Sequence, residues 1–506
     1  GTPSCLWPAY LSFVPPPVCF RIQFSRERSA VLTGRLQNFI GGAFVDSESE
    51  ESIDIINPAD ESVVAVSPVS TAAEVSAAID AAEKARIAWG TTTPKERADV
   101  LLKLADAVEA HADEIVEAQI RNTGQLRAMV KNDEVLISAD QLRFFAGAAR
   151  LLEGKSAGEY MEGFTSYIRR EPIGIVGQVT PWNYPFMMAI WKIGPALAAG
   201  NTIVLKPSDT TPESTVVLAR LTQGIVPDGV FNMVLGTGAT GAELVSDPRL
   251  GLVSITGSVR AGIAVAAAAA ATVTRAHLEL GGKAPAVVFA DADIEAAASG
   301  IAEASYYNAG QDCTAATRAI VHSAVYDQFL EALLAKVATI KPGGVDDEDA
   351  FYGPLNNIRH FTTVTEKIAA LPEHATIATG GTRVGDRGFY FAPTVITGVR
   401  QDDAIVQEET FGPILTVQTF DDEDDAVAKA NGVDYGLAAS VWTTDNGTAN
   451  RMTARIDAGC VWVNGHIPLV VEMPHGGFKN SGYGKDMSAY GVEDYTRIKH
   501  VMSANT

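Results

Sequence analysis

Between Gly174 and Leu280 short apolar runs alternate with helical stretches, at 175–179, 186–197, 202–205, 214–221, 231–235, 252–255 and 261–273, and no other feature constrains the fold as tightly. Runs that are apolar on both faces must be covered on both sides, and strands separated by helices run parallel. The rhythm therefore predicts an α/β fold with a doubly wound parallel sheet, which takes ligands at the carboxyl ends of its strands. A second series, with strands at 284–289, 319–322, 395–396, 414–417 and 460–463 and a helix at 294–307, predicts a second domain of the same kind. No low-complexity linker separates the two, so they are expected to pack firmly around a shared site.

Ahead of both series lie two helices with strong start signals. Thr71 and Glu74 stand at capping-box spacing, as do Thr93 and Glu96, the latter pair with Pro94 in the first turn. The 506 residues exceed one core, and 47% hydrophobic with 20% charged residues is the composition of a globular chain. Thirty-nine basic against 61 acidic residues give a formal charge of -22, the wrong sign for a nucleic-acid partner. The longest nearly apolar run, 261–273, falls short of the roughly 20 residues of a membrane span, so no membrane association is expected. Four cysteines without a Cys-x-x-Cys suit a reduced, cytoplasmic setting, and the eight histidines show no metal-ligand spacing. The irregular segment 1–32, with Pro15, Pro16 and Pro17, is expected to be a processed end, a cloning remnant or a mistaken start. Prolines break what would be the apolar region of a signal peptide.

Several residues are chemically suggestive. Gly236-Thr-Gly-Ala-Thr-Gly241 has the spacing of a dinucleotide loop but lacks the acidic residue expected about 20 positions later, so a glycine-rich turn is equally good. Cys313 follows Gly310 in a loop able to present a thiol, although an isolated cysteine is more often a buried hydrophobe. Glu279 precedes Gly281 and Gly282, and Asn183 is bracketed by Trp182 and two prolines, which suits a rigid donor to an oxyanion. Lys206 and Asp209 end the next predicted strand.

Taken in order, Pro181-Trp-Asn183, Lys206-Pro-Ser208-Asp209, Thr256-Gly257-Ser258, Glu279-Leu-Gly281-Gly-Lys283, Gly310-Gln-Asp-Cys313, Glu409-Thr-Phe411-Gly-Pro413 and Pro474-His-Gly-Gly-Phe478 resemble the aldehyde dehydrogenase superfamily over roughly 39–501. The resemblance implies an oxidoreductase with a nucleophile at Cys313, a general base at Glu279, and an oxyanion hole from the Asn183 side chain and the Cys313 N–H. It implies NAD as cofactor, with Thr180, Trp182, Lys206, Ser208, Asp209, Gly241, Gly257, Ser258, Gly281, Glu409 and Phe411 around it. Asp209 departs from the glutamate commoner in NAD-preferring members; the shorter carboxylate leaves room for NADP. The implied layout is an NAD-binding domain at 33–149 and 173–281, a catalytic domain at 282–480, and an oligomerisation element at 150–172 and 481–506 that joins a homodimer or homotetramer.

The stretches 277–285 and 306–318 are most similar to bacterial gamma-aminobutyraldehyde dehydrogenases. That likeness implies oxidation of an amino-aldehyde from putrescine or polyamine breakdown. Asp312, Tyr184 and Tyr307 are the expected amine-binding residues, through charge and cation–π attraction, with Glu134 a further partner. Asp312 would equally serve as a loop-capping carboxylate. His475 in place of the tryptophan frequent in plant relatives argues against betaine aldehyde. Other readings are a broad-specificity or semialdehyde dehydrogenase, a cysteine hydrolase or acyltransferase using His277 as base, and a catalytically idle member of the fold.

Overall fold

The computed structural model describes residues 34–505; the irregular segment 1–32 lies outside the described residues. The elements that position the site are β1 (Ile175–Val179), α1 (Pro185–Ala198), β2 (Thr202–Lys206), β3 (Leu250–Thr256), α2 (Val259–Ala271), β4 (Arg275–Glu279), β5 (Ala284–Val288), α3 (Ile294–Tyr306), β6 (Ala316–His322) and α4 (Ile358–Ala369).

An eight-stranded sheet runs in the order Ala43–Val45, Asn38–Ile40, Phe231–Met233, β2, β1, β3, β4, Gly482–Tyr483. Its centre is parallel, as the βαβ rhythm predicts, and its edges are antiparallel. The antiparallel edges escape the periodic pattern because each is only two or three residues long. Successive side chains of a strand point to opposite faces. Val176, Ile203, Leu205 and Leu252 join one apolar cluster, while Ile175, Val204, Val253 and Ile255 join another. The sheet is thus coated on both faces by helices, with each buried aliphatic side chain contributing about 1.5–3 kcal/mol.

The second sheet has seven strands, in which β5 lies between β6 and Ala438–Trp442. Here Ala286, Val288, Ala319 and Val321 face one cluster and Val287, Ile320 and Phe420 the other. Both predicted capping boxes form, Thr71 with Glu74 and Thr93 with Glu96.

A separate three-stranded sheet pairs Phe164–Pro172 with Gly158–Met161 on one side and Thr496–Ala504 on the other. The expected terminal element beginning at 481 is not uniform. Gly482–Tyr483 hydrogen-bonds to β4 and belongs to the first sheet, and the chain joins the three-stranded sheet only at Thr496. Among the described residues, no helix is long and apolar enough to cross a membrane.

Candidate active site

Strand ends of the first sheet meet a loop of the second. Parallel register sets Thr256 at the end of β3 beside Glu279 at the end of β4. The chain leaving β1 runs through Thr180 to Asn183 before α1 begins. Opposite them, α3 stops at Tyr306 and the backbone turns through Asn308 (φ 51°), Ala309 (φ 59°) and Gly310 (φ 67°) toward Cys313. Two non-glycine residues in that region store about 1–3 kcal/mol each, so the turn must be held from outside. Asn308 Nδ2 donates to the Asn183 carbonyl at 3.0 Å, and Gln125 Nε2 donates to the same carbonyl at 2.9 Å and to Asn308 Oδ1 at 3.1 Å. Glycine is obligatory at Gly282, where a Cβ would overlap the carbonyl oxygen of Cys313.

Cys313, Glu279 and Asn183 all line one cavity. One N–H of the Asn183 amide donates to the Gln311 carbonyl at 3.1 Å, which fixes the amide plane and leaves the second N–H for another acceptor. Glu279 is buried, and neither of its carboxyl oxygens is hydrogen-bonded among the described residues. Burial, and then the nearby Asp486 carboxylate, push its pKa well above the usual range. Burial likewise pushes the Cys313 thiol up, reinforced by the charges of Asp312, Glu409 and Glu279. A cation entering the pocket favours the charged form of both groups and so lowers both pKa values.

Beneath Glu279, the buried Lys192 Nζ bonds Asp486 Oδ2 at 2.9 Å, and His277 Nε2 lies 3.1 Å from Asp486 Oδ1. His277 is held between Asp486 and Asp494 and does not line the cavity of Cys313, which removes it as the base of a cysteine hydrolase.

A second cavity shares Tyr184, Met187, Trp191, Asp312 and Leu469 with the first, so the two form one tunnel. Its outer wall adds Asp133, Asp140, Glu472 and Tyr307, and among the described residues no lysine or arginine lines either cavity. Tyr184 Oη donates to Asp312 Oδ2 at 2.8 Å, and Tyr307 Oη to Asp133 Oδ2 at 2.7 Å. The other oxygen of Asp312 accepts from Thr314 N and Oγ1, both at 2.7 Å, so Asp312 caps its own loop while facing the tunnel.

Glu134 is not part of the tunnel wall. It is buried behind that wall, accepts from Gln119 Nε2 at 2.6 Å, and burial pushes its pKa up to about 8. Gln119 Nε2 also donates to Gln125 Oε1 at 2.9 Å, so Glu134 anchors the network that holds Asn183 and Asn308. A π-helical turn over Val130–Val135 makes the difference, because its wider register turns Glu134 inward and leaves Asp133 at the mouth. Asp133, Asp140 and Glu472 escape sequence reasoning. The first two share a stripe with Ile137 and Gln141 that helical spacing can reveal, whereas Glu472 sits in an aperiodic loop.

Of the remaining predicted residues, Lys206 ends β2, while Thr180, Gly257 and Gly281 follow the ends of β1, β3 and β4. Lys206 is buried, its pKa lowered by desolvation, and its amine makes no hydrogen bond among the described residues. Ser208 Oγ lies 3.4 Å from Asp209 Oδ1, and Gly241 packs against the Lys206 stem. Thr180 Oγ1 and Thr256 Oγ1 are buried without a partner among the described residues. Gly257 donates to the Glu279 carbonyl at 3.0 Å, and Ser258 caps α2. Gly282 N donates to Glu409 Oε1 at 2.8 Å, and a Cβ on Gly281 would overlap the Glu409 carboxylate. Burial raises the Glu409 pKa to about 7. Phe411 meets Trp182 edge-on at 5.3 Å, and its carbonyl accepts from His360 Nε2 at 2.6 Å; burial keeps His360 neutral by lowering its pKa to about 4. Unpartnered hydroxyls, a bare amine and a glycine-lined backbone suit a ligand that is long, polar and anionic.

Comparison with known proteins agrees with this geometry. Residues 44–501 match the aldehyde dehydrogenase family. The chain is 39% identical to betaine aldehyde dehydrogenase of Bacillus subtilis (strain 168) over 472 residues, covering 92% of this chain and 96% of the relative. The structure superposes on an NAD-dependent aldehyde dehydrogenase from Sinorhizobium meliloti with a TM-score of 0.91 at 38% identity, covering 94% and 96% of the two chains. It also superposes on a Bacillus cereus aldehyde dehydrogenase solved with NAD+, with a TM-score of 0.92 at 35% identity over 94% and 98%. The unbroken match through both sheets, carrying the thiol, carboxylate and amide of one cavity, means that this chain belongs to the aldehyde dehydrogenase family.

Proposed function

We propose that this enzyme oxidises a cationic aldehyde, foremost gamma-aminobutyraldehyde, to its carboxylic acid with NAD. The observation that carries the substrate class is the tunnel, with Asp133, Asp140, Asp312 and Glu472 on its wall, aromatic rings beside them and, among the described residues, no lysine or arginine. A protonated amine is stabilised there by charge and by the faces of Tyr184, Tyr307 and Trp191.

In this reading the Cys313 sulfur adds to the aldehyde carbon as its thiol proton passes to solvent water. The carbonyl oxygen takes the negative charge, and the free N–H of Asn183 and the Cys313 backbone N–H stabilise it. Lys206, Ser208, Asp209, Gly241, Gly257, Ser258, Glu409 and Phe411 would hold NAD, whose chemistry when bound is to accept the hydride, leaving a thioester on Cys313. Glu279, unpartnered in the same pocket, then removes a proton from the water that attacks the thioester carbon. The acid departs and the thiol is restored. Across the cycle one aldehyde and one water yield one acid, one hydride and a proton.

The likeness to a betaine aldehyde dehydrogenase favours one variant, a quaternary ammonium in the same acidic tunnel. Initial rates of NADH formation with gamma-aminobutyraldehyde, betaine aldehyde, succinic semialdehyde and butyraldehyde separate these readings, with Cys313→Ala as control. The proposal expects gamma-aminobutyraldehyde to lead in kcat/KM and the variant to be inactive. Preference for the semialdehyde would overturn it.

A further inference from the structure

The turn that carries Cys313 is gripped from behind by a histidine to which the chemistry above gives no role. His466 lies in the loop after the strand Cys460–Val463, is buried, and lines neither cavity of the tunnel. Its Nε2 lies 2.7 Å from the carbonyl oxygen of Thr314, the residue after Cys313, and its Nδ1 lies 2.8 Å from Ser440 Oγ. A carbonyl can only accept, so Nε2 carries the proton and donates it, which leaves Nδ1 as an acceptor in the neutral ring. Ser440 Oγ gives its one proton to Nδ1 and itself accepts from Trp442 Nε1 at 3.1 Å. The chain from Trp442 through Ser440 and His466 to Thr314 thus runs in one direction and fixes one tautomer. Burial lowers the His466 pKa to about 4 and keeps that ring uncharged at pH 7.

The same loop builds part of the tunnel, because Ile467, Pro468 and Leu469, which follow the histidine, line its wall. Its backbone is strained at Asn464 (φ 52°) and at the β-branched Ile467 (φ 80°), a conformation that persists only where its surroundings hold it. Asn464 exchanges two hydrogen bonds of 2.9 Å with the Thr443 backbone, and Trp462 Nε1 donates to the Pro468 carbonyl at 2.9 Å. The Trp462 ring also packs 4.8 Å from that of His466. On the nucleophile's side, the threonine that accepts from His466 donates through its N–H and hydroxyl to Asp312. Resting on the reading of Cys313 as nucleophile, we propose that His466 is a positioning residue that ties the Asp312–Thr314 turn to the tunnel wall. The thiol is thereby presented in reacting geometry to an aldehyde that the wall holds.

His466→Leu removes the donor, His466→Gln keeps one near the Nε2 position, and Ser440→Ala leaves the ring in place while freeing its tautomer. The leucine variant is expected to lose at least about tenfold in kcat/KM for butyraldehyde with KM for NAD unchanged, and the glutamine variant to recover to within about threefold of wild type. Ser440→Ala is expected to lose about threefold, and it carries the test if the leucine variant does not fold. Alkylation of Cys313 by iodoacetamide, followed by peptide mass spectrometry without substrate or cofactor, should run at least about threefold faster in the leucine variant, because the released turn exposes the half-buried thiol. Wild-type kcat/KM in both His466→Leu and Ser440→Ala, equal losses in the leucine and glutamine variants, or an alkylation rate unmoved by His466→Leu would overturn the proposal. A wild type that oxidises no aldehyde would sink the functional reading instead, and the alkylation rates would still report on the turn.

Discussion

Glu279 carries the most specific expectation at the level of single residues. If it activates the deacylating water, Glu279→Gln should still form about one equivalent of NADH per active site in a rapid burst, with steady turnover reduced by about 10²–10⁴. Loss of the burst together with turnover would place the carboxylate in thiol addition instead. Glu134 gives a pH test. Its folded-state pKa of about 8 lies above the ordinary value of 4.5, so the folded chain binds the proton more tightly than the unfolded chain. The resulting stability is complete below pH 4.5 and is lost as pH rises toward 8. Glu134→Gln keeps an acceptor for Gln119 and removes the titration, so its melting temperature relative to wild type should rise between pH 5 and pH 8 by an amount consistent with about 3 kcal/mol. A constant difference across that range would show that Glu134 does not titrate in the folded chain.

Among the elements, the crossing from β4 to β5 is the most demanding, since Gly282 passes beneath the carbonyl of Cys313 with no room for a Cβ. Gly282→Ala should therefore displace the nucleophile loop, lower kcat at least about a hundredfold and reduce thermal stability. Near-normal kcat would contradict the reading of that contact. Much of this layer is legible in the sequence. The paired clusters on either side of β1, β2 and β3 follow from runs that are apolar on both faces, and the two capping boxes follow from residue spacing. Cys313, Glu279 and Asn183 were recognisable as candidates, and the fold brings them into one cavity. What periodicity could not reveal is short or irregular. Gly482–Tyr483 is too brief to register as a strand, the π-helical turn shifts Glu134 off the helical wheel, and the loop carrying Leu469 and Glu472 has no repeat. His466 and Thr314 are 152 positions apart and meet only through the fold.

Over the whole molecule, the formal charge of -22 and the acidic tunnel mouth act in the same direction on an incoming cation. Attraction of this kind is screened within about 10 Å at 0.1 M salt. The kcat/KM for gamma-aminobutyraldehyde should accordingly fall severalfold between low ionic strength and about 0.3 M KCl, while that for butyraldehyde stays flat. Parallel behaviour of the two substrates would remove the field from the account. The most direct measurement is the ratio of kcat/KM for gamma-aminobutyraldehyde to that for butyraldehyde, compared between wild type and Asp312→Asn combined with Asp133→Asn. Removing the two tunnel carboxylates should lower that ratio at least about tenfold, mainly through KM for the amine; an unchanged ratio would contradict recognition of a cationic aldehyde by this tunnel.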